Sequence, residues 1–109
     1  MNLPFCYSLH KQLWLWLANN PDKYEIDWPE WTINGGDVEP VLDYNFACQY
    51  VSDLESNCSN CPLSWTKDNT CLYSNSIYLK WTFSNNPKDR KLCARQIAVI
   101  NVKKDVNII

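Results

Sequence analysis

"SIYLKWTF", Ser76 to Phe83, is the stretch that decides whether this chain is helical throughout or mixes helix with sheet. Ile77, Leu79, Trp81 and Phe83 alternate with their neighbours as on a half-buried strand, while Ile77 and Trp81 also stand one helical turn apart. Both periods fit, so a short β element at 76–83 and a helix stay open on local pattern alone. The rest of the chain carries helical signals. The expected fold class is therefore mainly α: a single domain over residues 1–109, of about four helices, with a loop held by four cysteines and zinc.

Working outward, "NNP" at 85–87 opens the next element, with Asn86 as the cap and Pro87 as the first helical residue. This predicts a helix to about Val99 or Ile100, with Cys93, Ile97 and Ile100 as its apolar stripe and Lys88, Lys91 and Arg95 on another face. The tail after it is expected to be partly ordered by its terminal isoleucines. Upstream, a helix is expected from about Leu9 to Ala18, capped by Ser8, with Leu9, Leu13, Trp16 and Leu17 sharing a face. A strand over Gln12–Ala18 competes, because nearly every residue from Leu13 to Leu17 is apolar. A second helix is expected to start after Glu39, with Pro40 first, and to reach about Leu54, pointing Cys48 toward the core.

At 109 residues the chain buries only about two-thirds of its unfolded surface, so its core is small. Six Trp, six Tyr and three Phe supply volume from few residues. A cross-link or metal is a common supplement in a domain of this size. The apolar run "LWLWLA" is too short for a membrane helix and lacks a preceding basic cluster or a small-residue cleavage site. A soluble cytoplasmic chain without membrane association is expected, in which thiols are reduced or metal-bound.

Cys48, Cys58, Cys61 and Cys71 are spaced so that the close pair in "CSNCPLSW" (58–65) is flanked evenly on both sides. A two-residue spacer lets one turn present two sulfurs to an ion, and four thiolates enclose Zn²⁺ in a closed tetrahedron with no position for substrate. One structural zinc per chain is the expected cofactor. A redox dithiol lacks its βαβ setting, and three disulfides require an oxidising compartment. Cys6 and Cys93 are expected to be buried thiols, and His10 a surface or capping residue, with ligation as its alternative.

The net charge of −2 hides segregation. Residues 22–55 carry nine carboxylates against Lys23 alone, and residues 80–104 carry five Lys and two Arg against Asp89 alone. The two regions complement each other within the fold or across a dimer, or the basic helix meets an acidic partner or nucleic acid.

Taken together, "HKQLWLWLANNPDKYEIDWPEW" (10–31), "FACQY" (46–50), "CSNCPLSW" and "YLKW" (78–81) resemble a family of small, mostly uncharacterised four-cysteine proteins encoded by phages and prophages of low-GC Gram-positive bacteria. The resemblance covers the chain up to about Phe83, and its four cysteines correspond to Cys48, Cys58, Cys61 and Cys71. Cys6 and Cys93 fall outside that pattern. It implies a phage origin, a host-cell cytoplasm and the class of small phage proteins that act on host machinery, defence systems included.

With one histidine and no nucleophile elbow or phosphate loop, a non-enzymatic role is expected. The leading expectation is a zinc-stapled module that binds a host bacterial protein, with Trp28 and Trp31 as candidate exposed anchors beside an acidic rim, although two tryptophans in such a loop more often plug a core edge. Nucleic-acid binding through Lys88, Arg90, Lys91 and Arg95 is the alternative. A third reading makes Asp22, Glu25, Asp27 and Glu30 phosphate mimics. Oligomeric state is left open.

Overall fold

The computed structural model describes residues 5–53, 61–64, 77–103 and 106–109. Among the described residues four α-helices, α1 (Tyr7–Asn19), α2 (Phe46–Asp53), α3 (Ile77–Phe83) and α4 (Pro87–Ala98), are joined in part by three 3₁₀ turns. Strand pairing among the described residues is limited to isolated bridges. The chain is mainly α, and its Cα radius of gyration of 13.4 Å is that of a compact body.

In α1 the buried set is His10, Leu13, Trp14, Leu17 and Ala18, at i, i+3, i+4, i+7 and i+8. Leu15 is exposed and Trp16 half-buried, so the 3.6-residue period overrides the alternation of "LWLWLA". The helix begins two residues earlier than expected, with Cys6 at the cap position. Ser8 lies inside it, its hydroxyl accepting from Gln12 Nε2 at 3.2 Å. Asn20 closes the other end by donating from Nδ2 to the Trp16 carbonyl.

The second helix is shorter than its sequence pattern suggested. Asp43 and Tyr44 both have positive φ (54° and 52°), which breaks any helix started at Pro40 and leaves a 3₁₀ turn at Leu42–Tyr44. Asn45 then caps α2, its Oδ1 accepting from the N–H groups of Ala47 and Cys48 at 2.9 and 3.2 Å. Phe46, Ala47, Tyr50 and Val51 are its buried residues, and Cys48 sits half-buried at the margin of that face. The expected end at Leu54 lies outside the described residues.

Residues 77–83 are helical. Trp81 is buried while Phe83 is 76% exposed, although a strand would have put both on one face. What holds the helix is tertiary: the Trp81 ring meets Trp14 of α1 edge-on at 4.8 Å between centroids, and α3 packs along α4.

The cap at Asn86 is as expected, with Oδ1 accepting from Lys88 N and Asp89 N and with Pro87 first in the helix. The buried stripe of α4 is shifted, however, to Arg90, Ala94, Ile97 and Ala98, leaving Cys93 and Ile100 half-buried. The small Ala94 and Ala98 let α1 approach closely, and α1 against α4 is the principal helix contact. The described residues after α4 are held by backbone pairing. Phe5 bridges Ile108 in parallel and Leu63 bridges Val102 antiparallel, while the side chains of Ile108 and Ile109 stay exposed. No described helix is long and apolar enough to cross a membrane.

Candidate functional site

Two of the four cysteines fall within the described residues. Cys48 lies on the first turn of α2, and Cys61 is buried at the start of a short segment pinned to the tail. In that segment Ser64 N–H donates to the Asn101 carbonyl at 2.7 Å and Lys103 N–H to Pro62 at 2.8 Å. Cys58 and Cys71 lie outside the described residues, so the tetrahedron expected from spacing cannot be assembled from them. Among the described residues no group of three His, Cys, Asp or Glu is placed to hold a metal. The donor set itself suits zinc: thiolates are soft ligands, and four of them make a closed structural shell.

His10 is a core residue and not a surface cap. Its Nε2–H donates to the Ile97 carbonyl at 2.9 Å, tying α1 to the end of α4, and Nδ1 is buried without a partner in the described structure. Burial lowers its pKa from 6.5 to about 4, with the Ile97 bond opposing and Lys11 adding a smaller repulsion. The ring therefore stays neutral near pH 7. Cys6 and Cys93 are half-buried thiols, and burial, then Asp89, pushes Cys93 upward against the pull of Lys80.

Trp28 and Trp31 are not exposed anchors, being 2% and 0% exposed. Their rings pack on each other edge-on at 5.0 Å, and Trp31 also stacks on Phe46 of α2. Trp31 Nε1–H donates to the Glu25 carbonyl at 2.9 Å, and Asn34 Nδ2 bridges the carbonyls of Ile26 and Trp28. The Asp-Trp-Pro turn thus plugs the core edge, where both indoles remove their apolar area from water. Gly36 closes the turn, since a Cβ on it would stand 2.2 Å from the Glu30 carbonyl oxygen.

With its tryptophans turned inward, the loop presents residues on either side of them. Tyr24, Ile26, Ile33 and Leu42 are all exposed, Ile33 to 57%, among the exposed carboxylates of Asp22, Asp27, Glu30, Asp37, Glu39 and Asp43. Glu25 is the exception in this acidic run. Its half-buried carboxylate accepts from Asn45 Nδ2 at 3.1 Å and Tyr78 Oη at 3.3 Å, joining loop, α2 and α3. Burial raises its pKa from 4.5 to about 7; the two hydrogen bonds pull it down and Asp43 pushes it up.

Arg90, expected among the basic surface residues, is buried. Its Nε donates to the Trp81 carbonyl at 3.1 Å, one terminal nitrogen to Pro21 and the other to Lys23 at 3.2 Å. The guanidinium carbon lies 4.5 Å from the ring centroids of both Tyr24 and Trp81. Every face of this cation is occupied, so it anchors the loop and is removed from any phosphate-binding set. Lys88 and Arg95 are exposed and Lys91 half-buried. Beside them Phe83 and Leu92, the latter 56% exposed, border a groove of about 510 Å³ between α3 and α4.

Sequence reasoning placed Glu25 among exposed phosphate mimics, where the structure ties it to Asn45 and Tyr78, and it missed Asn45, Tyr78, Phe83 and Leu92. Asn45 carried a readable signal as a capping residue ahead of "FACQY"; the others depend on which faces meet. No protein-family model, curated protein or solved structure matches this chain.

Proposed function

We propose that this chain is a non-enzymatic, phage-encoded zinc-stapled module that works in the bacterial host cytoplasm by binding and modulating a host protein, with defence systems in the class of targets. The observation that supports this reading is the loop between α1 and α2. Trp28 and Trp31 in the core and Arg90 beneath it hold its backbone, while Tyr24, Ile26, Ile33 and Leu42 stand exposed within an acidic rim. A preorganised apolar patch with charged edges is a suitable docking surface, because little ordering entropy is lost on binding. The partner contact expected at the two indoles is thereby moved to their exposed neighbours.

Cys48, Cys58, Cys61 and Cys71 are assigned to one structural Zn²⁺, which would fasten the segment after α2. A closed four-thiolate shell folds the domain and performs no zinc chemistry. The test is a native mass spectrum of protein made in a bacterial cytosol, followed by capture of a host partner on the purified chain. One zinc per chain, together with a partner lost on Ile33→Asp, supports the reading; a metal-free chain lighter by two hydrogens per bridge refutes the zinc assignment.

Nucleic-acid binding is the second reading. It is favoured by the exposure of Lys88 and Arg95 along α4, now without Arg90. Salt-dependent retention on DNA tests it, and no retention at low salt removes it.

A further inference from the structure

We propose that the exposed face of α4, together with Phe83, docks the acidic loop of a second copy of this chain. Lys88, Leu92 and Arg95 on α4 and Val99 just past its end recur at helical spacing on the side away from the buried Arg90, Ala94 and Ile97. They form a stripe in which cations alternate with exposed aliphatic groups. Next to it, Phe83, Leu92 and Cys93 line the α3–α4 groove, with Lys80 at its edge and Asp89 its one carboxylate.

What this face requires is a segment with apolar tips set among carboxylates, and the loop at residues 22–43 has that composition. Ile26, Ile33 and Leu42 project between Asp27, Glu30, Asp37 and Glu39, all of them exposed. Within the chain α4 meets the loop through Arg90, which is spent on backbone carbonyls, and among the described residues no cation of α4 makes an ion pair with a loop carboxylate. Segregated charges that do not meet inside the fold are matched between copies, and the small net charge of −2 offers little overall repulsion. Each copy carries both surfaces, so two reciprocal contacts close a pair. The groove then receives an aliphatic loop side chain, for which Ile33 is the most exposed candidate. Pairing uses the loop assigned above to a host protein, so pairing and partner binding compete.

The experiment is light scattering of the reduced, zinc-loaded chain across a concentration series, at about 20 mM and about 500 mM salt. Expected is a mass rising from 12.8 kDa toward twice that value, with dissociation weakened at least tenfold in favour of the pair at low salt. Lys88→Glu with Arg95→Glu, and separately Glu30→Lys with Asp37→Lys, should each give a monomer with unchanged circular dichroism. Mixing the two variants should restore pairing, since both contacts again join opposite charges. Phe83→Ser with Leu92→Ser should also give a monomer. A wild-type chain that stays monomeric at the highest concentration overturns the proposal, as does pairing indifferent to the reversals. Loss of DNA retention in the α4 variant of a chain that never pairs would overturn it in favour of phosphate binding. None of these outcomes depends on whether a host partner exists.

Discussion

Two buried groups that titrate in opposite senses make the pH dependence of stability a sharp test of the packing. Burial holds Glu25 protonated up to about pH 7, against an ordinary 4.5, so between those values the folded chain carries one proton more than the unfolded chain. Its contribution is present in full below pH 4.5 and is lost as pH rises through about 7. Burial holds His10 neutral down to about pH 4, against an ordinary 6.5, so there the folded chain carries one proton fewer. That contribution is present above pH 6.5 and is lost as pH falls through about 4. Each slope is roughly 1.4 kcal/mol per pH unit, and across the shared window of 4.5 to 6.5 they oppose each other. For His10, almost fully buried, the total is about 3 kcal/mol. For Glu25 the shift has the same size, so the total is again about 3 kcal/mol. Urea unfolding followed by tryptophan fluorescence between pH 4 and 7.5 reads both. Glu25→Gln should unmask His10, so that the variant gains stability relative to wild type as pH rises from 4.5 to 7. His10→Gln should unmask Glu25, so that this variant loses stability relative to wild type as pH rises from 4 to 6.5, and its profile tilts downward toward pH 7. Profiles of all three proteins that run parallel would refute the burial of these two groups.

Further outcomes follow from other contacts. Arg90→Ala strips a cation from three carbonyls and two rings, and should lower stability by about 3 kcal/mol or more in thermal unfolding, with Arg90→Lys recovering only part because it lacks the planar fork. Trp31→Ala should destabilise by about 3 to 5 kcal/mol in the same assay, whereas Ile33→Asp should leave the melting temperature nearly unchanged, separating core from surface in one loop. Cys58→Ser, or a strong chelator, should release one zinc per chain and abolish the cooperative transition, measured by metal analysis with circular dichroism. Gly36→Ala forces a Cβ onto the Glu30 carbonyl and should cost about 1 to 3 kcal/mol in urea unfolding.

The ends of the helices were the most legible part of this chain, because capping is local chemistry. Asn86 and Pro87 announced α4, and Asn19, Asn20 and Pro21 announced the end of α1, to within a residue or two. The period of α1 was legible as well, since five buried positions recur at helical spacing over 13 residues. The start of α2 was misplaced because two consecutive positive φ values, at Asp43 and Tyr44, are uncommon outside glycine and have no local signature. The four-cysteine spacing belongs to the sequence alone, with two of its members outside the described residues.

Tertiary structure decided everything that depends on which face of an element meets another. Residues 77–83 fit two periods equally well, and the helix prevails because it places Trp81 between Trp14 and Arg90 while turning Phe83 outward. Arg90 looked like its neighbours Lys88 and Lys91, yet three backbone carbonyls and two aromatic rings converge on it from segments up to 69 residues distant. Trp28 and Trp31 looked like anchors and became core for a related reason: Phe46 and the Glu25 carbonyl complete their surroundings only after the chain closes. Local sequence sets periodicity and capping through short-range sterics and hydrogen bonds. Burial of a particular charge or indole is set by long-range contacts, which only the folded chain brings together.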